Sequence, residues 1–222
     1  MVTAALKQMG ATHNYHLARL AASVYAFFRI EDAITLLRNA RTWIPASDVE
    51  EVESLYGQLG GLLASAGRPT DAMTCARQCV DETHRGWARL AGMAERCGDR
   101  GILLSAAGGV MESPSSITER LSVGDVLWGS LQRSADTKLN DALERIARGC
   151  LPPSASPGAE DEWHARLLLG ELLVLEKRTA EAEAILAAPP REPGSPAEGT
   201  GALIYEGAAE RVLERIRGHK PG

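Results

Sequence analysis

Aromatic residues are scarce in this chain: they make up 5% of its 222 residues, and only two of them are phenylalanine. Strands favour aromatic and β-branched side chains, and both are thin throughout, which argues against a sheet-based core. Alanine, leucine and arginine, which favour helices, are abundant. Hydrophobic residues (45%) and charged residues (24%) stand at values typical of a folded soluble domain. We therefore predict an all-α fold.

Cysteine is also rare. The four residues Cys75, Cys79, Cys97 and Cys150 are too few and too irregularly spaced for a disulfide framework in a chain of this length, so we expect reduced thiols. A metal site is one alternative, since Cys75 and Cys79 stand four apart on one predicted helix and His84 and Cys97 follow. Zinc clusters usually use tight Cys-x-x-Cys pairs, however, and these thiols fall at core positions of predicted helices. We expect no metal and no cofactor.

Long apolar runs and basic clusters are missing. No window approaches 18 apolar residues, and the opening MVTAALKQMG lacks the charged start and apolar stretch of a signal peptide. The net charge is -5, and the acidic excess lies wholly after residue 110. We therefore predict a cytoplasmic protein that binds neither membranes nor nucleic acids.

Familiar catalytic motifs are absent as well. The chain has no Walker-type loop, no Rossmann glycine fingerprint, no HExxH and no Gly-x-Ser-x-Gly. Enzymatic activity thus has no positive support in the sequence, and we predict that the protein is not an enzyme.

What the sequence does contain is a pentad written four times: a basic residue, two spacers, an acidic residue and alanine. The copies begin at Arg29, Arg68, Lys138 and Arg178. Apolar residues at helical spacing precede and follow each copy, so each pentad is predicted to join two helices. The alanine is expected where the paired helices cross, because a larger side chain would hold them apart. The basic residue is expected to be solvated in the turn.

The copy around the second pentad carries the fullest pattern. Its stripe and turn residues are Tyr56, Leu59, Gly60, Leu63, Gly67, Ala72 and Ala76. They stand at the spacing of the large, Leu, Gly, large, Gly, Ala pattern of the tetratricopeptide repeat, so the chain resembles that family. The resemblance implies a right-handed α-solenoid of about five antiparallel helix pairs, forming a single repeat domain over residues 1–222.

Four further copies extend the resemblance over most of the chain. Their matching residues are Leu17, Leu20, Ala21, Val24, Ala33, Leu37 and Ala40 in the first copy, Trp87, Leu90, Ala91, Ala94, Gly98 and Leu103 in the third, Ala142 in the fourth, and Leu169, Gly170, Leu173, Ala182 and Leu186 in the fifth. Lys177 stands where the fifth copy is expected to have glycine. The helix-to-helix turns are spaced by 39, 31, 39 and 40 residues, against a family period of about 34, so the array is irregular.

Two stretches rich in proline and glycine interrupt the helical pattern, at 151–161 and 188–201, and we expect flexible loops there. The segment 202–217 then has one apolar and one charged face. A terminal helix of a repeat array needs both faces, so we predict that it is a capping helix.

In tetratricopeptide arrays the first helix of each pair lines a concave groove, and the resemblance implies the same here. The partner-binding residues predicted from this register are Arg19, Gln58, Arg85, Arg89 and Arg96. The last three stand at i, i+4 and i+11 on one predicted helix and would suit an acidic or carboxylate-bearing peptide. The alternative is a solvated face with Glu82 and Glu95 as neighbours.

We therefore predict a non-catalytic scaffold or adaptor that binds a peptide or helix of another protein in this groove. One alternative with the same fold is a permanent structural subunit or specialised chaperone in a larger assembly. Another, from a different class, is a metal-dependent helical protein or enzyme. An adaptor should be monomeric and soluble alone, whereas a permanent subunit should expose a large apolar patch.

Overall fold

A computed structural model describes residues 14–152, 159–187 and 200–218, with only the backbone described for Ala159 and residues 200–206. This part of the chain contains eleven helices and no strand, which confirms the all-α prediction for the described residues. The helices are α1 (Tyr15–Tyr25), α2 (Ile30–Arg41), α3 (Val49–Ser65), α4 (Pro69–Thr83), α5 (Trp87–Cys97), α6 (Arg100–Glu112), α7 (Ile117–Leu131), α8 (Thr137–Gly149), α9 (Ala159–Leu175), α10 (Thr179–Ala187) and α11 (Thr200–Gly218). None of them is long and apolar enough to cross a membrane.

The chain divides into two compact units, Met1–Arg100 and Gly101–Gly222. The first unit holds α1 to α5, and the second holds nearly all of α6 together with α7 to α11. The single repeat domain over residues 1–222 stays a prediction.

In the first unit each helix packs on the next along the chain, from α1 to α5. The second predicted copy lies in this core as expected: Tyr56, Leu59 and Leu63 on α3 are buried, and so are Ala72 and Ala76 on α4. The two helices approach closely where small residues meet, because a Cβ on Gly60 would lie 3.9 Å from the Ala72 carbonyl oxygen. The small-residue pattern therefore marks a real helix crossing.

Three turns between successive helices have the same type of C-terminal cap. Gly67, Gly98 and Lys177 have φ values of +73°, +69° and +63°, in the left-handed region. In each turn the next amide donates to a carbonyl of the preceding helix, as Arg68 does to Leu63 at 2.9 Å and Arg178 does to Leu173 at 2.8 Å. These bonds satisfy carbonyl groups that a helix end otherwise leaves open.

Three of the four pentads carry ion pairs. Arg68 binds Asp71 of its own helix at 2.6 Å and Glu31 of the preceding α2 at 3.1 Å. Arg178 similarly binds Glu181 at 2.7 Å and Glu144 of α8 at 2.9 Å. Arg68 and Arg178 are thus more than solvated connectors, because each ties its own helix to the previous helix pair. In the first pentad Arg29 pairs only with Asp32, three residues further along the chain, at 2.5 Å.

The second unit has a more layered packing. Helix α9 packs on both neighbours in sequence, α8 and α10, and also on α7 and α11. Its core joins residues of all five helices, among them Leu121, Ala147, Leu169, Leu186 and Val212. A buried ion pair between Arg166 and Glu162 lies beside it, with Arg166 Nη1 donating to the Ile185 carbonyl oxygen at 2.9 Å. Helix α9 is therefore the centre of this unit.

The predicted register is wrong for the first copy. Leu17, Leu20 and Val24 were expected in the buried stripe, but they are 50%, 65% and 56% exposed, and Ala18 and Ala22 are buried instead. Two faces of α1 carry apolar residues, so the sequence is compatible with burial of either one. The face with the smaller side chains, Ala18 and Ala22, is the buried one.

The fourth copy is also out of register. Ala142, predicted at the helix crossing, is only half-buried, while Leu139 and Leu143 on either side of it are buried and Lys138 and Asp141 are exposed. Asp136 caps α8 by accepting from the Lys138 and Leu139 amides, so this helix begins earlier than the pentad pattern requires.

The predicted loops lie mostly outside the described residues, which omit 153–158 and 188–199. Residues 159–161 and 200–201, assigned to those loops, form the first turns of α9 and α11. Helix α11 contains the predicted capping segment 202–217. In its described part Val212, Leu213 and Ile216 are buried, while Glu210 and Glu214 are exposed. That it caps an array stays a prediction.

Candidate functional site

Four of the predicted binding residues lie on the odd-numbered helices of the first unit, and Arg85 lies just before α5. Gln58 of α3 donates through Nε2 to the Arg19 carbonyl oxygen of α1 at 3.0 Å and to Ser23 Oγ at 2.8 Å. Arg89 of α5 donates to the Glu53 carbonyl oxygen of α3 at 3.3 Å. Side-chain hydrogen bonds thus join α3 to α1 and to α5. We call the surface carrying Arg19, Gln58, Arg85, Arg89 and Arg96 the odd-helix surface.

An open cavity of about 590 Å³ lies on this surface between α1 and α3. It brings together two of the predicted residues, and its lining is polar apart from one leucine. The lining residues are His16, Arg19, Leu20, Ser23, Ser54 and Gln58. Hydroxyl, amide and guanidinium groups here give a surface suited to a polar segment of another chain.

The charge of Arg19 is already balanced. Its Nη1 is paired with Glu51 of α3, and its Nη2 donates to Ser54 Oγ at 2.5 Å. His16 lies 3.9 Å from the same glutamate. Glu51 could not be predicted as a partner of Arg19, because it lies in the first turn of α3, where the helix dipole alone favours acidic residues. Arg19 is therefore weaker as an anchor for an incoming carboxylate than its position suggested.

Arg89 is also committed to the fold. Its guanidinium lies on the backbone of α3 at Gly57, where a Cβ would come within 2.8 Å of Nη2. Any other residue at position 57 would displace the guanidinium, so glycine provides the space for this contact. Arg89 is half-buried, and its contact with Glu53 joins α5 to α3.

Arg85 and Arg96 remain exposed at the two ends of α5. Neither is paired with a carboxylate among the residues that the structure describes; Arg96 Nε donates only to the Gly92 carbonyl oxygen at 3.3 Å. Arg85 does not lie on the helix as expected. His84 and Gly86, at φ values of +55° and +84°, flank it in the left-handed region and separate α4 from α5.

A second cavity, of about 390 Å³, lies between α2, α3 and α4. Beside it Tyr56 donates to Glu82 Oε1 at 2.5 Å, and Arg41 Nε donates to Glu82 Oε2 at 2.9 Å. Burial acts to raise the pKa of Glu82, but the hydrogen bonds from Tyr56 and Arg41 outweigh it and lower the pKa. Glu82 is therefore held by Tyr56 and Arg41, and among the described residues no ion pair joins it to Arg85, Arg89 or Arg96.

The thiols show no arrangement for metal chemistry. Cys75 and Cys79 are buried in the core of the first unit, and burial raises the pKa of Cys75 to about 12. A thiol must lose its proton to bind zinc, so this environment disfavours coordination. Over the described ranges, no three His, Cys, Asp or Glu side chains lie close enough together to hold a metal ion.

Comparison with known proteins adds no further identification: no family model matches the chain, and no curated protein matches its sequence.

Proposed function

We propose that this chain is a non-catalytic scaffold, a degenerate and right-handed solenoid of the tetratricopeptide class, that binds an acidic segment of another protein along the odd-helix surface. The observation that carries the proposal is the lateral joining of α1, α3 and α5 through Gln58 and Arg89. Alternate helices that are joined in this way can present one extended face, which is how stacked helix pairs bind peptides.

The exposed arginines define the chemistry of the partner. Arg19 and Arg89 are satisfied within the fold, whereas Arg85 and Arg96 lack carboxylate partners in the described part of the chain. Carboxylates of a partner would therefore be attracted to the two ends of α5. The open cavity at Gln58 would accommodate polar side chains of the same segment.

Paired charge-reversal variants test the proposal. Arg85→Glu combined with Arg96→Glu should lose partner proteins that co-purify with the wild-type chain from cells that contain it. Arg77→Glu, at an exposed arginine of α4 in the same unit, is the matched control and should retain them. Binding should also weaken as salt is raised, because the contacts are exposed charges. Identical partners for all three proteins, identified by mass spectrometry, would contradict the proposed site.

Arg89 requires a separate measurement because its role differs. We expect Arg89→Ala to lower the free energy of unfolding by about 1–2 kcal/mol, since it removes a hydrogen bond and the packing over Gly57. Arg85→Ala should change it by less than about 0.5 kcal/mol, as for an exposed side chain outside the core. Urea unfolding of the two variants checks this difference. Equal effects would mean that Arg89 is free to bind a partner.

A permanent subunit of a larger assembly is a second candidate, and one observation favours it. Leu17, Leu20, Val24, Phe27 and Phe28 are all at least half exposed on α1 and the turn after it. A large apolar patch of this kind is what distinguishes a permanent subunit from a freely soluble adaptor. Stable purification only together with another protein would favour this candidate over a transient scaffold.

A further inference from the structure

The exposed apolar residues of α1 form a continuous stripe. Leu17, Leu20 and Val24 stand at i, i+3 and i+7, so they share one helix face, and Phe27 and Phe28 extend it into the turn. Phe27 and Phe28, the two phenylalanines of the chain, are each 83% exposed. We call these five residues the α1 stripe. Its spacing is that of a surface that packs against another helix.

The α1 stripe is large for a surface left in water. With roughly 150–250 Å² for a large side chain, the five residues expose roughly 600 Å² together. Soluble monomers rarely leave larger apolar patches uncovered. Two such stripes in contact would bury about 1,200 Å², the lower end of the range for specific, stable interfaces. The stripe is thus just large enough for a specific dimer interface.

The stripe is also complementary to itself. If two α1 helices pack antiparallel about a two-fold axis at the level of Ala22, Leu17 of each copy faces Phe27 of the other, and Leu20 faces Val24. Phe28 then faces the exposed ring of His16. No acidic residue lies on α1, and its arginine, Arg19, is paired with Glu51 of the same copy. The contact therefore buries apolar groups without bringing unpaired charges together.

The described part of the last helix, residues 207–218, is a poor surface for this stripe. Its exposed residues are mostly charged: Glu210, Arg211, Glu214, Arg215 and Arg217. Contact between the stripe and this part of α11 would bury these charges, which disfavours a heterologous contact there. Contact of the stripe with its own copy about a two-fold axis gives a closed pair.

We propose that the α1 stripe binds the same stripe of a second copy of this chain, forming a two-fold symmetric dimer. This inference goes beyond the proposed scaffold function. The α1 stripe shares Leu20 with the cavity between α1 and α3, but it uses neither Arg85 nor Arg96. The partner-binding variants at those arginines should therefore leave the dimer intact.

Sedimentation equilibrium of the full chain over about 1–100 μM, a range that brackets micromolar dissociation constants, tests the proposal. The wild type should be a dimer at the upper end. Val24→Glu combined with Phe28→Glu should be a monomer of unchanged helicity by circular dichroism, because both side chains are already exposed. Leu175→Glu, at an exposed leucine of the second unit, is the control and should remain dimeric.

Phe28→Ala provides a milder test if the double variant does not fold, and it should weaken the dimer at least about tenfold. A wild type that is monomeric throughout the range overturns the proposal and leaves the stripe to another protein or to residues 1–13. A dimer that persists in the folded double variant also overturns it, since another surface would then form the contact.

Discussion

Lys177 occupies a position at which the chain elsewhere uses glycine. Gly67 and Gly98 adopt the same left-handed backbone conformation at equivalent turns, where a side chain is strained because Cβ crowds the carbonyl group. The hydrogen bonds around Lys177 match those around Gly67, so the turn retains its geometry despite the lysine. The second unit therefore stores a small local strain at this residue.

We expect Lys177→Gly to raise the free energy of unfolding by about 0.5–1 kcal/mol through relief of that strain. Lys177→Ala, which removes the charge but keeps Cβ, is the control and should give no comparable gain. Gly67→Ala should act in the opposite direction by about 1 kcal/mol. Thermal unfolding followed by circular dichroism measures all three. A gain from alanine equal to that from glycine would mean that the lysine side chain, not the backbone, is responsible.

At the residue scale the sequence predicted types of position better than contacts. The turn residues could be assigned because glycine has a backbone preference of its own. The Arg89 contact with Glu53 could not, because its acceptor is a carbonyl oxygen, which every residue carries. The Arg19 pairing with Glu51 depends on how α1 and α3 lie beside each other, and no local pattern encodes that.

Close helix packing in this protein depends on glycine, which has no side chain. In the second unit a Cβ on Gly170 of α9 would come within 2.7 Å of Leu186 of α10, whose side chain is buried. Gly170 therefore lets α10 pack directly on the α9 backbone. Gly129 of α7 differs, because a Cβ there would meet nothing within 4 Å.

Alanine substitutions at these two glycines should have opposite effects. Gly170→Ala should lower the free energy of unfolding by about 1–3 kcal/mol, because overpacking outweighs the gain in helix propensity. Gly129→Ala should raise it by up to about 1 kcal/mol, since only the propensity changes. Chemical denaturation of the two variants decides between these outcomes. Stabilisation of both would show that α9 and α10 separate easily.

At the element scale the repeat pattern succeeded where one face of a helix was clearly smaller or more apolar. The second and fifth copies met this condition, with Gly60 and Gly170 at their crossings. On α1 it failed, because the stripe of Leu17, Leu20 and Val24 is more hydrophobic than the alanine face that is buried. Hydrophobic periodicity identifies the faces of a helix that can be buried, and packing against the neighbouring helices determines which of them is buried.

We expect the stability of both units to depend on pH in acid, because each unit contains a glutamate that is paired with arginine. This glutamate is Glu82 in the first unit and Glu144 in the second. The hydrogen bond from Arg178 lowers the pKa of Glu144, burial opposes it, and Arg148 adds to the lowering. In the unfolded chain a glutamate titrates near pH 4.3, so the stabilisation is present above about that pH and is lost as the pH falls through the lower folded value.

Melting temperature should therefore decline as the pH is lowered below about 4. Glu144→Gln should melt at a lower temperature than the wild type near pH 7 and show a smaller decline in acid, because it has no carboxylate to titrate. Glu214→Gln, at an exposed glutamate of α11, is the control and should follow the wild-type profile. A profile for Glu144→Gln parallel to that of the wild type would rule out this pairing as a source of acid sensitivity.

The ion pairs of the pentads have a consequence for how such a chain can grow. Glu31 and Asp32 are adjacent residues of α2. Asp32 forms an ion pair with Arg29 at the start of the same helix, and Glu31 forms one with Arg68 of the next helix pair. A tandem duplication of the first helix pair would bring an arginine at position 29 within reach of the original Glu31 and would carry its own Asp32. We therefore expect a helix pair inserted at this point to find an oppositely charged partner at its new junction.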